Sequence, residues 1–204
     1  MNYLAHAYLS FGNEEILLGN MISDFVKGKK QFLYPPVVHK GILLHRAIDD
    51  FTDTHPITQK AKTVFKNAYR LYSGAFIDVV YDHFLAKDQT AFPDEKALYD
   101  FSQTTYRQLE KQIAIMPSGF DRMFFYMQSQ NWLYGYRSLP GIYQSFGGLV
   151  RRAAYLQDSG PAIQIFDQHY SFLQDCFDEF WEDIRSFAIN KMNLLLSDNR
   201  TLPE

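Results

Sequence analysis

The sequence predicts an all-α fold: a single-domain helical bundle over residues 1–204. Three observations carry this. Apolar residues recur at helical spacing, with no convincing apolar/polar alternation bounded by turn dipeptides. The 8 prolines sit at segment boundaries rather than inside periodic runs. Aromatic residues make up 17% of the chain, with 18 Phe and 14 Tyr, which suits bulky helix-to-helix packing better than an aromatic ligand cage. With 47% hydrophobic and 21% charged residues, the chain can bury a sizeable core, which excludes intrinsic disorder.

The elements follow in order from their start and stop signals. Asn13 before Glu14-Glu15 predicts an N-cap with carboxylates in the first turn, and Gly28 closes that segment. Pro35-Pro36 opens a helix running through the Asp49-Asp50 region. Pro56 fits the first position of a third helix, to about Tyr72; Ser73-Gly74 breaks the chain before a fourth, Ala75 to Lys87. Pro93-Asp94 starts a long helix toward Met116, and Pro117-Ser118 separates it from the next. Gly135 and Leu139-Pro140-Gly141 mark turns, and Ser159-Gly160-Pro161 opens a last amphipathic helix to about Leu196. A polar, frayed tail follows from about residue 197.

Charge and cysteine content narrow the function classes. Twenty basic and 23 acidic residues leave a net charge of −3, so a uniformly cationic, nucleic-acid-binding surface is excluded as the main theme. No apolar run approaches the roughly 18 residues needed to span a bilayer. The opening Met1 to Phe11 lacks a cationic leader. The single Cys176 has no partner for a disulfide or a thiolate metal site, which suits a reducing cytoplasm.

The chemistry-bearing residues concentrate in the first half. Val38, Ile42, His45 and Asp49 share one helical face, so His45 and Asp49 continue an apolar stripe one turn apart. Groups placed there need partners, because burying an unpaired charge is very costly. A divalent metal or a His–Asp hydrogen bond would each serve. Arg46 and Asp50 form a separate i, i+4 pair. Leu17, Asn20, Met21 and Asp24 share a face, so Asp24 ends a second apolar stripe, as a ligand or as a cap on a neighbouring helix. Asp82 and His83 flank the stripe of the fourth helix, where Asp78 reads as solvated. His6 lies in the apolar opening segment.

Four segments thus present His or Asp toward a helical core, as a mixed imidazole/carboxylate metal centre requires. Nitrogen and oxygen donors without thiolates suit Mn²⁺, Mg²⁺, Fe²⁺ or Zn²⁺. Such an ion acidifies a water and neutralises a phosphoryl oxygen, which points to phosphoester hydrolysis. Other routes are poorer. No Gly-x-Ser-x-Gly elbow is present, Cys176 sits among acidic residues that raise a thiol pKa, and Gly147-Gly148 is only a doublet.

Several ordered motifs then stand together. They are Met1-Asn2-Tyr3-Leu4-Ala5-His6, Gly19-Asn20-Met21-Ile22-Ser23-Asp24-Phe25-Val26-Lys27-Gly28, Gly41-Ile42-Leu43-Leu44-His45-Arg46-Ala47-Ile48-Asp49, Phe51-Thr52-Asp53-Thr54-His55-Pro56 and Tyr81-Asp82-His83-Phe84-Leu85-Ala86. As a set, over roughly the first 90 residues, they resemble acyl carrier protein phosphodiesterases. The resemblance implies a helical fold related, in rearranged form, to metal-dependent phosphohydrolases of the HD type. It also implies removal of the 4'-phosphopantetheine arm from holo-acyl carrier protein, with Mn²⁺ the implied metal. Asp24, His45, Asp49, Asp82 and His83 match the family's acidic and His/Asp positions, with His6 beside them. The doublet here reads Asp82-His83, the reverse of the HD order.

On that reading Asp24 and Asp49 are catalytic as well as ligating, and Arg46 or Lys27 pairs with the diester charge. An acidic carrier would dock on local basic clusters, either Lys27-Lys29-Lys30 or Lys60-Lys62-Lys66-Arg70. Two other readings fit the same residues: an HD-type hydrolase of a nucleotide or small phosphodiester, and a non-catalytic helical adaptor whose inward His and Asp only hydrogen-bond each other.

Overall fold

A computed structural model of the protein describes residues 1–198, so the tail expected after about residue 197 lies, from residue 199 onward, outside the described residues. Eleven α-helices follow one another among these residues, and no strand occurs. They are α1 (Tyr3–Tyr8), α2 (Glu14–Ile22), α3 (Pro36–Thr54), α4 (Pro56–Tyr69), α5 (Ser73–Leu85) and α6 (Glu95–Glu110). α7 (Phe120–Ser129), α8 (Trp132–Gly135), α9 (Leu139–Arg152), α10 (Gly160–Gln168) and α11 (Tyr170–Ser197) complete the bundle. Short 3₁₀ segments, among them Ser23–Phe25 and Gly28–Leu33, link several of them.

Local signals set most starts. The Asn13 side chain accepts from the Glu15 and Ile16 amides, Asp94 from Ala97, and Ser138 from Gly141. Pro36, Pro56, Pro140 and Pro161 all fall in first turns, where a missing N–H costs nothing. Pro140 therefore opens α9, where the sequence suggests only a turn.

Other boundaries answer to tertiary contacts. α6 stops at Glu110 rather than near Met116, because Lys111 and Gln112 turn away to bond Glu14 at the head of α2. The predicted last helix is two. Tyr69 accepts from the Ala162 amide (2.9 Å) and donates to the Asp158 carbonyl (3.0 Å), pinning the start of α10 to α4, and the chain breaks at His169.

The long α3 lies at the centre, packed on α2 and α11, with α4 and α5 beside them and α1 across α2 and α5. The α2–α3 crossing is backbone against backbone. A Cβ on Gly19 would come 2.0 Å from the Val38 carbonyl oxygen, and one on Gly41 2.4 Å from that of Ile16. Only glycine permits that approach. Elsewhere the aromatic residues fill the space between helices: Phe65 stacks on Phe76 (5.5 Å), Tyr81 on Phe180 (5.1 Å) and Phe177 on Trp181 (5.4 Å). Fully burying each such ring contributes on the order of 2 kcal/mol. No helix among the described residues is long and apolar enough to cross a membrane.

Candidate metal centre

The close α2–α3 crossing brings Asn20 against His45, and Asn20 organises the site. Its Nδ2 donates to the His6 carbonyl (2.9 Å) and to Ser10 Oγ (3.1 Å), which fixes the amide with Oδ1 toward His6 Nδ1 (2.8 Å). A carbonyl oxygen can only accept, so His6 Nδ1 carries the proton. The Asn20 backbone carbonyl does the same for His45, whose Nδ1 lies 2.6 Å away. One residue thus puts a proton on Nδ1 of both imidazoles and leaves both Nε2 atoms beside Asp49. The two rings stack at 4.0 Å.

Carboxylates surround those nitrogens. Asp49, one turn after His45 on α3, places Oδ2 3.1 Å from His45 Nε2 and Oδ1 3.2 Å from His6 Nε2. Asp24 places Oδ1 3.4 Å from His45 Nε2 on the open side. Yet neither Nε2 makes a hydrogen bond of acceptable geometry, and both are buried. Two buried, unsatisfied imidazole nitrogens beside carboxylates are costly unless a cation sits among them. One donor atom each from His6, His45 and Asp49 lies within 4.8 Å of the others, so these three can hold a metal ion. The donor set, two imidazoles and a carboxylate, suits a divalent ion.

Electrostatics agree with that arrangement. Burial works against a charged His45, but Asp24 and Asp49 outweigh it and lift its pKa to about 9. Burial, with charged His45 adding to it, pushes His6 down to about 4. Asp49 is held far below the usual carboxylate range: burial opposes this, but the Met1 ammonium and the two imidazoles prevail. The His45 imidazole, 3.4 Å away, likewise lowers Asp24.

The site opens into a cleft of about 380 Å³ lined by Asp24, Lys27, His45, Arg46 and Asp49 among others. Asp24 stands at its mouth, 68% exposed, on a 3₁₀ turn that follows the end of α2. Arg46 does not pair with Asp50. It reaches back to Gln31 Oε1 (2.8 Å) and the Val26 carbonyl (3.1 Å), bracing the loop that carries Asp24 and Lys27.

Asp82 and His83 lie elsewhere. Asp82 is fully buried and accepts from the Leu4 amide (2.8 Å) and the Ala5 amide (3.0 Å), capping the six-residue α1 that carries His6. Burial raises its pKa to about 7 against those two amides. His83 donates from Nδ1 to the Tyr136 carbonyl (2.6 Å), and its Nε2 accepts from the Tyr170 hydroxyl (3.1 Å), away from the cleft. Since a carbonyl only accepts, its Nδ1 bears the proton. Asp78, expected to be solvated, instead pairs with the buried Met1 amino group (3.0 Å), which also reaches Asp49 Oδ1 (3.2 Å).

Sequence reasoning assigned no role to Asn20 or Asp78. A signal for Asn20 existed: an amide between Leu17 and Met21 on an apolar stripe must find buried partners. Asp78 pairs with a group 77 residues away, which no local pattern encodes.

Comparison with known proteins accords with the motifs. The family model described as acyl carrier protein phosphodiesterase matches residues 1–184. The chain belongs to this family. Among relatives named acyl carrier protein phosphodiesterase, it is 35% identical to that of Yersinia pestis over 191 residues, 94% of this chain and 99% of the relative. It is 32% identical to that of Photorhabdus laumondii, covering 94% and 96%, and 31% identical to that of Salmonella agona, covering 94% and 99%. No solved structure matches the chain. The matched range covers the positions of His6, Asn20, Asp24, His45 and Asp49.

Proposed function

We propose that the protein hydrolyses the phosphodiester joining 4'-phosphopantetheine to the serine of holo-acyl carrier protein, releasing the arm and the apo-carrier, with a divalent metal, Mn²⁺, held in the cleft. The observation that carries this is the pair of buried Nε2 atoms that lack a hydrogen-bond partner and converge with Asp49 beside an open cleft of a family member. In the proposed site His6, His45 and Asp49 hold the ion, and Asp24 faces it from the solvent side. Asp82 and His83 act at a distance, Asp82 by fixing the helix that carries His6.

When bound, a divalent ion there supplies a Lewis acid for the phosphoryl oxygen and lowers the pKa of a water. The chain's own residues do the rest. Arg46 and Lys27 line the cleft with cationic groups for the diester. Asp24, ionised and open to solvent, orients the attacking water and accepts its proton. The water oxygen joins phosphorus as the phosphorus–oxygen bond to the serine breaks, and the proton taken up by Asp24 passes to the departing serine oxygen. Adaptors that use such groups only for core hydrogen bonds have no need of two unsatisfied imidazoles, which favours the enzymatic reading.

The test is direct. Wild-type protein with Mn²⁺ removes the mass of the arm from a holo-carrier, and Asp24→Ala loses at least roughly 100-fold in rate. Equal rates for the two proteins refute the assignment.

Docking adds a second expectation. Lys27, Lys29 and Lys30 are exposed on the segment beside Asp24. In the other cluster Lys62 is paired with Asp53 (2.7 Å) and Lys60 leans over Phe172. The first patch is therefore the proposed dock for an acidic carrier. Lys29→Glu with Lys30→Glu raises KM for the carrier several-fold with little change in kcat, and added salt mimics it in the wild type. Unchanged KM removes the patch.

A further inference from the structure

Beside the metal cleft lies a second cavity of about 430 Å³, within the usual range for small-molecule sites. The two share a wall that is thin in sequence: Asp24 lines the first, and the next residue, Phe25, lines the second. Tyr3, one turn before His6 on α1, lines it as well, with its hydroxyl in the field of Asp24. The metal cleft and this cavity thus meet at adjacent residues of the Ser23–Phe25 turn.

The lining is of mixed character. Tyr3, Phe25, Met123 and Trp132 give apolar walls, while Gln144 and Ser145 add hydrogen-bonding groups. Arg122, Arg151 and Arg152 stand exposed around it, and none has an ion-pair partner among the described residues. A plain hydrocarbon would leave these donors unused. A chain of methylene and dimethyl units punctuated by amide carbonyls and a hydroxyl would use both the walls and the donors.

We infer that this cavity receives the pantetheine arm of the substrate, its apolar units against Tyr3, Phe25 and Met123 and its amide carbonyls accepting from the arginines and Gln144. This rests on the proposed carrier-protein substrate, but it is tested separately. Gly148 lines the cavity from α9, and a Cβ there makes only ordinary contacts, 3.7 Å to Arg151, so a larger side chain enters the space without breaking the helix.

The experiment is calorimetric titration of the metal-free protein with pantetheine, which lacks the phosphate and so cannot report on the metal site. The wild type binds and Gly148→Phe weakens binding at least 10-fold. Gly148→Phe also raises KM for the holo-carrier at least 10-fold, while Mn²⁺-dependent hydrolysis of bis(p-nitrophenyl) phosphate, which has no arm, stays unchanged. Arg152→Ala, on the protein surface, gives a smaller loss of pantetheine affinity and guards against a misfolded phenylalanine variant. No pantetheine binding to the wild type, or equal binding by all three proteins, overturns the inference. Pantetheine binding with no hydrolysis of either diester would count against the proposed reaction and leave the arm cavity standing.

Discussion

His45→Gln lowers the affinity for Mn²⁺ by at least roughly 100-fold and removes metal-dependent hydrolysis of the carrier. The effect is large because His45 Nε2 is one of two imidazole donors in the metal-holding group among the described residues, and its Nδ1–H is already spent on the Asn20 carbonyl. The glutamine amide still can donate to that carbonyl, so the fold persists while the nitrogen ligand is lost.

The same residue fixes the pH dependence in the wild type. Without metal, Asp24 and Asp49 hold a proton on His45 up to about pH 9, whereas His6 is neutral above about 4. Metal binding near neutrality therefore expels about one proton, the one on His45, and the association constant rises with pH until about 9. The stability of the metal-free protein runs the other way. A raised histidine pKa contributes stability that is fully present below the ordinary value of 6.5 and is lost as pH rises through about 9. Calorimetry in buffers of different ionisation enthalpy reads the proton count. No proton release near pH 7.5 would contradict this account of the tautomers.

Gly19→Ala destabilises the protein by about 3 kcal/mol or more, or prevents folding altogether. Its Cβ would stand 2.0 Å from the Val38 oxygen and 2.7 Å from the Ile42 nitrogen, both backbone atoms of α3 that cannot rotate aside. The helices must then part, and the Asn20 carbonyl is drawn off His45. Gly135→Ala is the control: nothing lies within 4 Å of its added Cβ, so stability changes by no more than about 0.5 kcal/mol. Denaturant unfolding measures both. Wild-type stability in Gly19→Ala would mean that the crossing is looser than the structure has it.

These two predictions mark what can and cannot be read along the chain. The helical character of nearly every segment is local: Asn13, Asp94 and the first-turn prolines announce it through capping and missing donors. The juxtaposition of His45 and Asp49 is local too, since i and i+4 lie on one face of a helix. What decides which acidic groups share the cleft is not. Asp24 and Asp82 look alike on apolar stripes, yet one opens onto solvent from a 3₁₀ turn and the other spends both oxygens on the amides of Leu4 and Ala5. That difference depends on where a helix 77 residues away begins, which no periodicity contains. The break at His169 is of the same kind, for it follows from the grip of Tyr69 on α10 rather than from any glycine or proline.

The most direct measurement is an anomalous-scattering map from crystals of the protein grown with Mn²⁺. The account predicts one strong peak within bonding distance of His6 Nε2, His45 Nε2 and a carboxylate oxygen of Asp49, absent in His45→Gln. A manganese bound at Asp82 and His83 instead, or a fully active enzyme with no ion between the two stacked imidazoles, would contradict it.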